Sequence, residues 1–120
     1  MNCLDTYALV EFSSGNPKFS MLMKEEFVLT DPTLAEFYVV IRKKHNDQTA
    51  QYWHKKLAPF CKPVARQTLI NALLFREENK KEEISVFDAV GYAYAKENKF
   101  AFVTGDTAFK NKEGVLFIQK

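Results

Sequence analysis

Short, largely apolar segments alternate with longer amphipathic ones along this chain. Residues 100–103 form a brief apolar run, which is typical of a strand that is covered on both faces. Residues 27–30 are predicted to form another strand. Residues 62–65 and 115–118 are further strand candidates, the second at the edge of a sheet. A small strand is also expected to end at Asp5.

The segments between these strands carry helix signals, and their order indicates the fold class. One helix is expected directly after Asp5, another begins with Asp31 as its cap and Pro32 at its first position, and the rest cover residues 17–24, 47–57, 68–80 and 87 onward. Strands that alternate with helices predict an α/β fold with a mostly parallel sheet. In the helix over residues 68–80, we expect the apolar face formed by Leu69, Ala72 and Leu73 to pack on the core.

Length and composition limit the kind of protein. The 120 residues suffice for one domain over residues 1–120. Lysine and arginine number 17 against 15 acids. The N-terminus lacks a secretion signal, and the longest apolar segment, residues 34–41, is too short to span a membrane. Cys3 and Cys61 lack metal-type spacing, which favours a reduced, cytoplasmic protein without membrane contact.

Four acidic residues occupy positions where chemistry is expected. Asp5 and Asp106 each follow a predicted strand, and the carboxyl ends of strands are where ligands bind in open α/β sheets. Asp88 opens a helix among apolar residues. Glu36 lies within the apolar segment 34–41, where a buried carboxylate costs several kcal/mol unless it is paired, protonated or bound to a metal. A distant arginine partner is the simpler alternative for Glu36.

Each aspartate also has a purely structural interpretation. Asp5 fits the cap of the following helix, and Asp88 stands at capping-box spacing from Ser85. Asp106 could be a turn residue after Gly105. These alternatives stay open for each residue taken alone.

The predicted topology brings the four acids together. In a parallel sheet, the carboxyl ends of the strands and the starts of the following helices share one edge, so Asp5, Glu36, Asp88 and Asp106 are expected in one pocket. Crowded like charges require cations, and carboxylate ligands without thiolates or paired histidines favour Mg²⁺ or Mn²⁺ over zinc. Setting these acids aside increases the basic excess of the remaining chain, which suits a phosphodiester substrate.

Three stretches resemble the PIN domain family: LDTYALVE at the start, LAEF around Glu36, and FDAVGYAYAKENKFAFVTGD. The chain is especially similar to small stand-alone PIN proteins of the VapC toxin type. The resemblance implies a three-layer sandwich with a twisted, mostly parallel sheet between helices, and an Mg²⁺- or Mn²⁺-dependent ribonuclease. It also implies that Asp5, Glu36, Asp88 and Asp106 bind the metal, and that the Thr104 hydroxyl supports the site.

The resemblance further implies partners: RNA as substrate, a second copy in a homodimer, and a VapB-like antitoxin. We expect the antitoxin near residues 12–23, where an exposed apolar patch is predicted from Phe12, Phe19, Met21, Leu22 and Met23. The competing function is a non-catalytic PIN-like module that binds RNA or protein. A receiver domain, a dehalogenase-type phosphatase and a nicotinamide enzyme are disfavoured because their motifs are missing from the sequence.

Overall fold

A five-stranded parallel sheet forms the centre of the computed structural model, which describes all 120 residues apart from the side chain of Met23. The strands are ordered β3-β2-β1-β4-β5, and every neighbouring pair is parallel. Their bounds are Asn2–Leu4 (β1), Phe27–Thr30 (β2), Cys61–Lys62 (β3), Ala101–Thr104 (β4) and Val115–Phe117 (β5). The predicted α/β class with a mostly parallel sheet is confirmed.

Helices connect the strands and cover the sheet on both faces, as in a three-layer sandwich. The six α-helices are Thr6–Ser13 (α1), Pro17–Ser20 (α2), Asp31–Lys44 (α3), Asp47–Leu57 (α4), Arg66–Glu78 (α5) and Val86–Glu97 (α6). Single 3-10 turns occupy Met21–Met23, Ala58–Phe60, Lys80–Glu82 and Thr107–Phe109. The helix predicted over residues 17–24 is therefore the short α2 followed by a 3-10 turn.

The cap of α3 differs from the one that the sequence predicted. Asp31 lies inside the helix, and the preceding Thr30 is the cap, because its hydroxyl accepts a hydrogen bond from the backbone N–H of Thr33. A side-chain oxygen at the cap satisfies one of the free N–H groups of the first turn. The start of α3 thus follows β2 without any intervening loop.

The central strands send alternate side chains into two separate apolar cores. Leu4 and Val103 belong to the core beneath α1–α4, whereas Cys3 and Phe102 belong to the core beneath α5 and α6. Successive residues of a strand point to opposite faces, so a strand with cores on both sides must be apolar throughout. This explains the uninterrupted apolar run at β4.

Helix α5 buries a different face from the one predicted. Thr68 and Ala72 are buried, whereas Leu69 and Leu73 are 39% and 52% exposed. Small residues allow α5 to approach α6 closely, and Thr68 donates a hydrogen bond to Oε1 of Glu97 at 2.6 Å. The expectation that Leu69 and Leu73 pack on the core is wrong.

The predicted apolar patch at residues 12–23 is largely absent from the part of the chain that the structure describes. Phe19 and Leu22 are buried, and half-buried Phe12 packs edge-on against Trp53 with ring centroids 5.8 Å apart. Met21 alone is strongly exposed, at 60%, while the Met23 side chain lies outside the described residues. The core beneath α1–α4 therefore includes Phe19 and Leu22, and Phe12 packs against it.

No helix among the described residues is both long and apolar enough to cross a membrane. Both cysteines are free thiols, with Cys3 buried and Cys61 half-buried.

Candidate active site

Two of the predicted aspartates flank the point where the strand order reverses. Strand β1 lies between β2, the next strand in the chain, and β4, so the crevice for ligands falls at the carboxyl ends of β1 and β4. Asp5 directly follows β1, and its backbone N–H donates to the carbonyl of Val103 in β4 at 3.1 Å. Asp106 follows the end of β4 by two residues.

The two carboxyl oxygens of Asp5 have different surroundings. Oδ1 accepts a hydrogen bond from the backbone N–H of Ala8 at 2.8 Å, which caps α1. Oδ2 is buried without a hydrogen-bond partner among the described residues. Burial, reinforced by the negative charge of Asp88, raises the pKa of Asp5 from 3.8 to about 8. A buried, unpartnered carboxyl oxygen is costly, and the capping of α1 through Oδ1 does not offset that cost.

Asp88 lies in the first turn of α6, beside Asp5. The Ser85 hydroxyl caps this helix by accepting from the backbone N–H of Asp88 at 3.1 Å. Burial raises the pKa of Asp88 to about 7, and the charges of Glu36 and Asp106 add to the shift. Asp88 is therefore close enough to Glu36 and Asp106 for their charges to act on it.

Glu36 is half-buried rather than fully enclosed by apolar residues, which corrects the expectation of a buried acid. Its neighbours Ala35 and Val39 are exposed, so one side of α3 faces solvent. Oε1 of Glu36 accepts a hydrogen bond from the hydroxyl of Thr6. Among the side chains that the structure describes, Glu36 has no cationic partner in an ion pair, so the alternative of a distant arginine has no support.

The loop after β4 fixes Asp106 through its backbone. The Thr104 hydroxyl, fully buried, accepts a hydrogen bond from the N–H of Asp106 at 3.0 Å. Oδ1 of Asp106 accepts from the N–H of Ala108 at 3.0 Å. Gly105 between them approaches the Tyr7 ring so closely that a Cβ atom would clash with it and would lie 2.7 Å from the carbonyl oxygen of Ile118. Only glycine fits at this position.

The four acids are linked by pairwise charge interactions at this edge of the sheet. The charges of Asp88 and Asp106 raise the pKa of Asp5, and the charges of Glu36 and Asp106 raise the pKa of Asp88. Among the described residues, however, no three His, Cys, Asp or Glu side chains converge closely enough to hold a metal ion as they stand. The oxygen-only donor set and the unpartnered Asp5 Oδ2 fit a divalent cation such as Mg²⁺, although side-chain rotations would be needed to close a coordination shell.

Two open depressions border the acids. One, of about 480 Å³, lies between Asp106 and Lys112; the Lys112 ammonium is 2.9 Å from Oε2 of Glu82. The other, of about 370 Å³, is mostly apolar and lies between Glu36, Phe87 and Lys43. Each depression thus carries a lysine on its wall.

Sequence reasoning missed Thr6 and Lys112. Thr6 follows Asp5 directly, but its contact with Glu36 depends on how α1 and α3 pack, which residue spacing does not reveal. Lys112 reaches Asn79 and Glu82 across more than 25 residues of sequence. No local signal identifies either contact.

The chain belongs to the PIN domain family, whose sequence profile matches residues 3–115. No curated protein matches the chain.

Solved structures with the same fold include several toxins. A toxin–antitoxin complex from Klebsiella pneumoniae aligns with a TM-score of 0.79 at 17% sequence identity. VapC20 of Mycobacterium tuberculosis, described as a sarcin–ricin loop cleaving toxin, aligns with a TM-score of 0.82 at 13% sequence identity. Both alignments cover 100% of this chain and 100% of the other chain. DNA-bound VapBC from Salmonella typhimurium aligns with 0.74 at 15%, over 98% of this chain and 96% of that one. At these identities the similarity establishes the fold.

Proposed function

We propose that this chain is a metal-dependent endoribonuclease, using Mg²⁺ or Mn²⁺, and the toxin of a VapBC-type toxin–antitoxin pair. The observation that carries the proposal is that Oδ2 of Asp5 is buried and unpartnered at the carboxyl edge of the sheet, where charge interactions link Asp5, Asp88, Asp106 and Glu36. Membership in the PIN family and the fold shared with a sarcin–ricin loop cleaving toxin support RNA as the substrate.

In this proposal Asp5, Glu36, Asp88 and Asp106 hold the cation. A divalent cation in such a site activates water for attack and stabilises negative charge on the phosphate. Thr104 is a positioning residue, because its hydroxyl fixes the backbone that carries Asp106.

Lysines on both sides of the acids give the proposed substrate an electrostatic path. Lys43 and Lys112 line the two depressions that border Glu36 and Asp106. A polyanionic strand is repelled by the acids themselves but attracted by the Lys43 ammonium, whereas Lys112 would have to exchange its ion pair with Glu82 for a phosphate contact. The strand would therefore cross the carboxyl edge of the sheet from one depression to the other.

The decisive variant is Asp5→Asn, with Asp47→Asn as its matched control. Asp47 is an exposed aspartate in the first turn of α4, remote from the cluster in sequence, and its ion pair with Arg42 is mostly solvated. Asp5→Asn should abolish both RNA cleavage and the rise in melting temperature on adding Mn²⁺, while Asp47→Asn should retain both. Cleavage by Asp5→Asn, or cleavage in excess EDTA, would contradict the proposal.

A non-catalytic RNA- or protein-binding module is the second candidate, and the lack of a ready-made coordination shell among the described acids favours it. The two candidates differ in a direct assay. A binding module would retain labelled RNA without shortening it in saturating Mg²⁺ or Mn²⁺, whereas the nuclease would fragment it.

The partners and location follow from the same proposal. We expect a cytoplasmic homodimer made of one PIN domain per chain, in complex with a small VapB-like antitoxin. The toxin–antitoxin assemblies among the structures of the same fold support the antitoxin. Because Phe19 and Leu22 are buried, Met21 is the one strongly exposed large apolar side chain that the structure describes in residues 12–23.

A further inference from the structure

The apolar depression between α3 and α6 borders the acids on one side. It measures about 370 Å³, within the range of roughly 300–1,000 Å³ that is usual for ligand pockets. Its walls consist of four apolar side chains, one acid and one lysine: Ala35, Val39, Val40, Phe87, Glu36 and Lys43. Val39 is 48% exposed, so this apolar lining is open to solvent and does not belong to a core.

The α3 wall of the depression changes in chemistry along its length. Residues three or four apart lie on the same side of an α-helix, so Glu36, Val39 and Lys43 follow one another along one side of α3. The seven steps from Glu36 to Lys43 span roughly 10 Å of helix axis. This wall therefore leads from an acid, over aliphatic side chains, to a cation.

The α6 wall contributes an aromatic residue next to another of the four acids. Phe87 immediately precedes Asp88 in the first turn of α6 and is half-buried. Among the described residues, neither apolar core includes Phe87. An aromatic side chain that is open to solvent beside the acids is therefore free to contact a ligand.

We propose that this depression binds one unpaired nucleobase of the RNA strand, and that the Lys43 ammonium binds a phosphate next to that base. Aromatic and apolar side chains hold bases of single strands by stacking and van der Waals contact, whatever the sequence. This assignment rests on the proposed function, in which Glu36 and Asp88 hold the metal at the adjoining end. It makes Phe87 and Val39 base-binding residues.

The charge of Lys43 favours a polyanion at the far end of the depression. Among the described side chains, Lys43 forms no ion pair, whereas Lys112 on the other side of the acids lies 2.9 Å from Glu82. An unpaired surface ammonium binds a phosphate without first losing a protein partner, and the contact releases counterions. A nucleotide thus complements the depression in both its apolar part and its charge.

The size of the depression disfavours a protein segment or a second copy as its occupant. A stable protein interface buries about 800 Å² on each partner and involves roughly 20–30 residues a side. The depression has only the six lining residues named above. A single flat base needs no larger surface than this.

The first test separates base contacts from backbone contacts. The ligands are a labelled oligouridylate and an abasic strand with the same phosphates, and binding is measured by fluorescence anisotropy in EDTA at low salt, where metal-dependent cleavage does not occur. The unmodified chain should bind the oligouridylate about fivefold to 150-fold more tightly. Equal dissociation constants for the two strands would overturn the proposal.

The second test assigns the base contacts to the depression. Phe87→Ala should weaken oligouridylate binding by about fivefold or more and leave binding of the abasic strand unchanged. Val39→Asn, at an exposed position, should act in the same direction without any effect on the fold. Phe60→Ala is the matched control, because Phe60 is 41% exposed before the edge strand β3, away from the depression. Unchanged oligouridylate binding in Phe87→Ala and Val39→Asn, or equal losses for both strands, would refute the base site.

The third test concerns the phosphate. Lys43→Gln should weaken both strands alike and should reduce the slope of log affinity against log salt by about one. Lys44→Gln is the control, because Lys44 is exposed at the next position of α3, about 100° further round the helix. The phosphate contact is excluded if Lys43→Gln keeps the original slope or if both variants lower it equally.

Failure of the base site is distinguishable from failure of the nuclease. A chain that binds bases through Phe87 but does not cut RNA would keep the base site, whereas a chain that cuts RNA while Phe87→Ala changes neither constant would lose it. Light scattering detects the competing occupant. A changed molar mass in Val39→Asn with unchanged dissociation constants would assign the depression to a second copy and overturn the proposal.

Discussion

The hydroxyl of Thr6 donates a hydrogen bond to Oε1 of Glu36, which ties the first turn of α1 to α3 beside Asp5. In metal sites generally, side chains that hydrogen-bond to a metal-binding residue orient that residue and influence the affinity of the site for the metal. The first turn of α1 therefore contacts both acids. The backbone N–H of Ala8 donates to Asp5, and the hydroxyl of Thr6 donates to Glu36.

Thr6→Val keeps the shape of the side chain but removes the donor. We expect affinity for Mn²⁺ and the cleavage rate to fall by about tenfold to 100-fold, measured by calorimetry and by cleavage of a labelled RNA. Thr68→Val is the matched control, because it removes a Thr–Glu hydrogen bond between α5 and α6. Equal losses in both variants would indicate a general effect on the fold.

The stability of the metal-free protein should fall as pH rises from about 4 to about 8. The folded chain holds a proton on Asp5 up to its pKa of about 8, whereas the unfolded chain releases it near 3.8. Because the folded state binds more protons in this interval, its stability is greatest below the lower value and decreases toward the higher one. Melting temperatures in EDTA should show this fall.

Asp5→Asn should flatten that pH dependence, because the amide does not titrate. Asp88, whose pKa is raised to about 7, would contribute the remaining slope. The variant should therefore melt at a higher temperature than the unmodified chain at pH 8 in EDTA. Identical slopes for the two proteins would show that Asp5 titrates normally.

Asp88→Asn should lower the pKa of Asp5, since the charge of Asp88 is the second cause of its elevation after burial. The carboxyl ¹³C shift of Asp5, followed by NMR against pH in EDTA, measures the change. Asp47→Asn should leave that titration unmoved. An unchanged Asp5 pKa in Asp88→Asn would mean that the two carboxylates do not face each other.

Gly105→Ala should destabilise the fold by about 1–3 kcal/mol, the usual cost of overpacking. The added methyl group would meet the Tyr7 ring and the backbone of Ile118. Urea unfolding measures the loss, and in a Tyr7→Ala background the same substitution should cost less because the ring is gone. An unaltered midpoint in Gly105→Ala would contradict the close approach.

The sequence by itself determined the sheet and the edge on which the acids lie. The short run at residues 27–29 is apolar throughout because cores cover both faces of the sheet. Asp5 directly follows β1 and Asp106 follows the end of β4 by two residues, so parallel pairing places them at one edge. These features are local, and local patterns encode them.

Tertiary packing decided how exposed the remaining residues are and what they contact. The spacing of Leu69 and Leu73 puts them on one side of α5 but does not say whether that side faces the core. Because α5 packs on α6 through Thr68 and Ala72, Leu69 and Leu73 face solvent. Phe19 is buried because a core lies beside α2, which the length of that helix does not reveal.

Tertiary packing also decided how the acids relate to one another. The half-burial of Glu36 and its bond to Thr6 depend on where α1 meets α3. The pKa of Asp5 depends on Asp88, which is distant in sequence. Burial and charge interactions arise from distances in space, and residue spacing specifies those distances only within a single helix or strand.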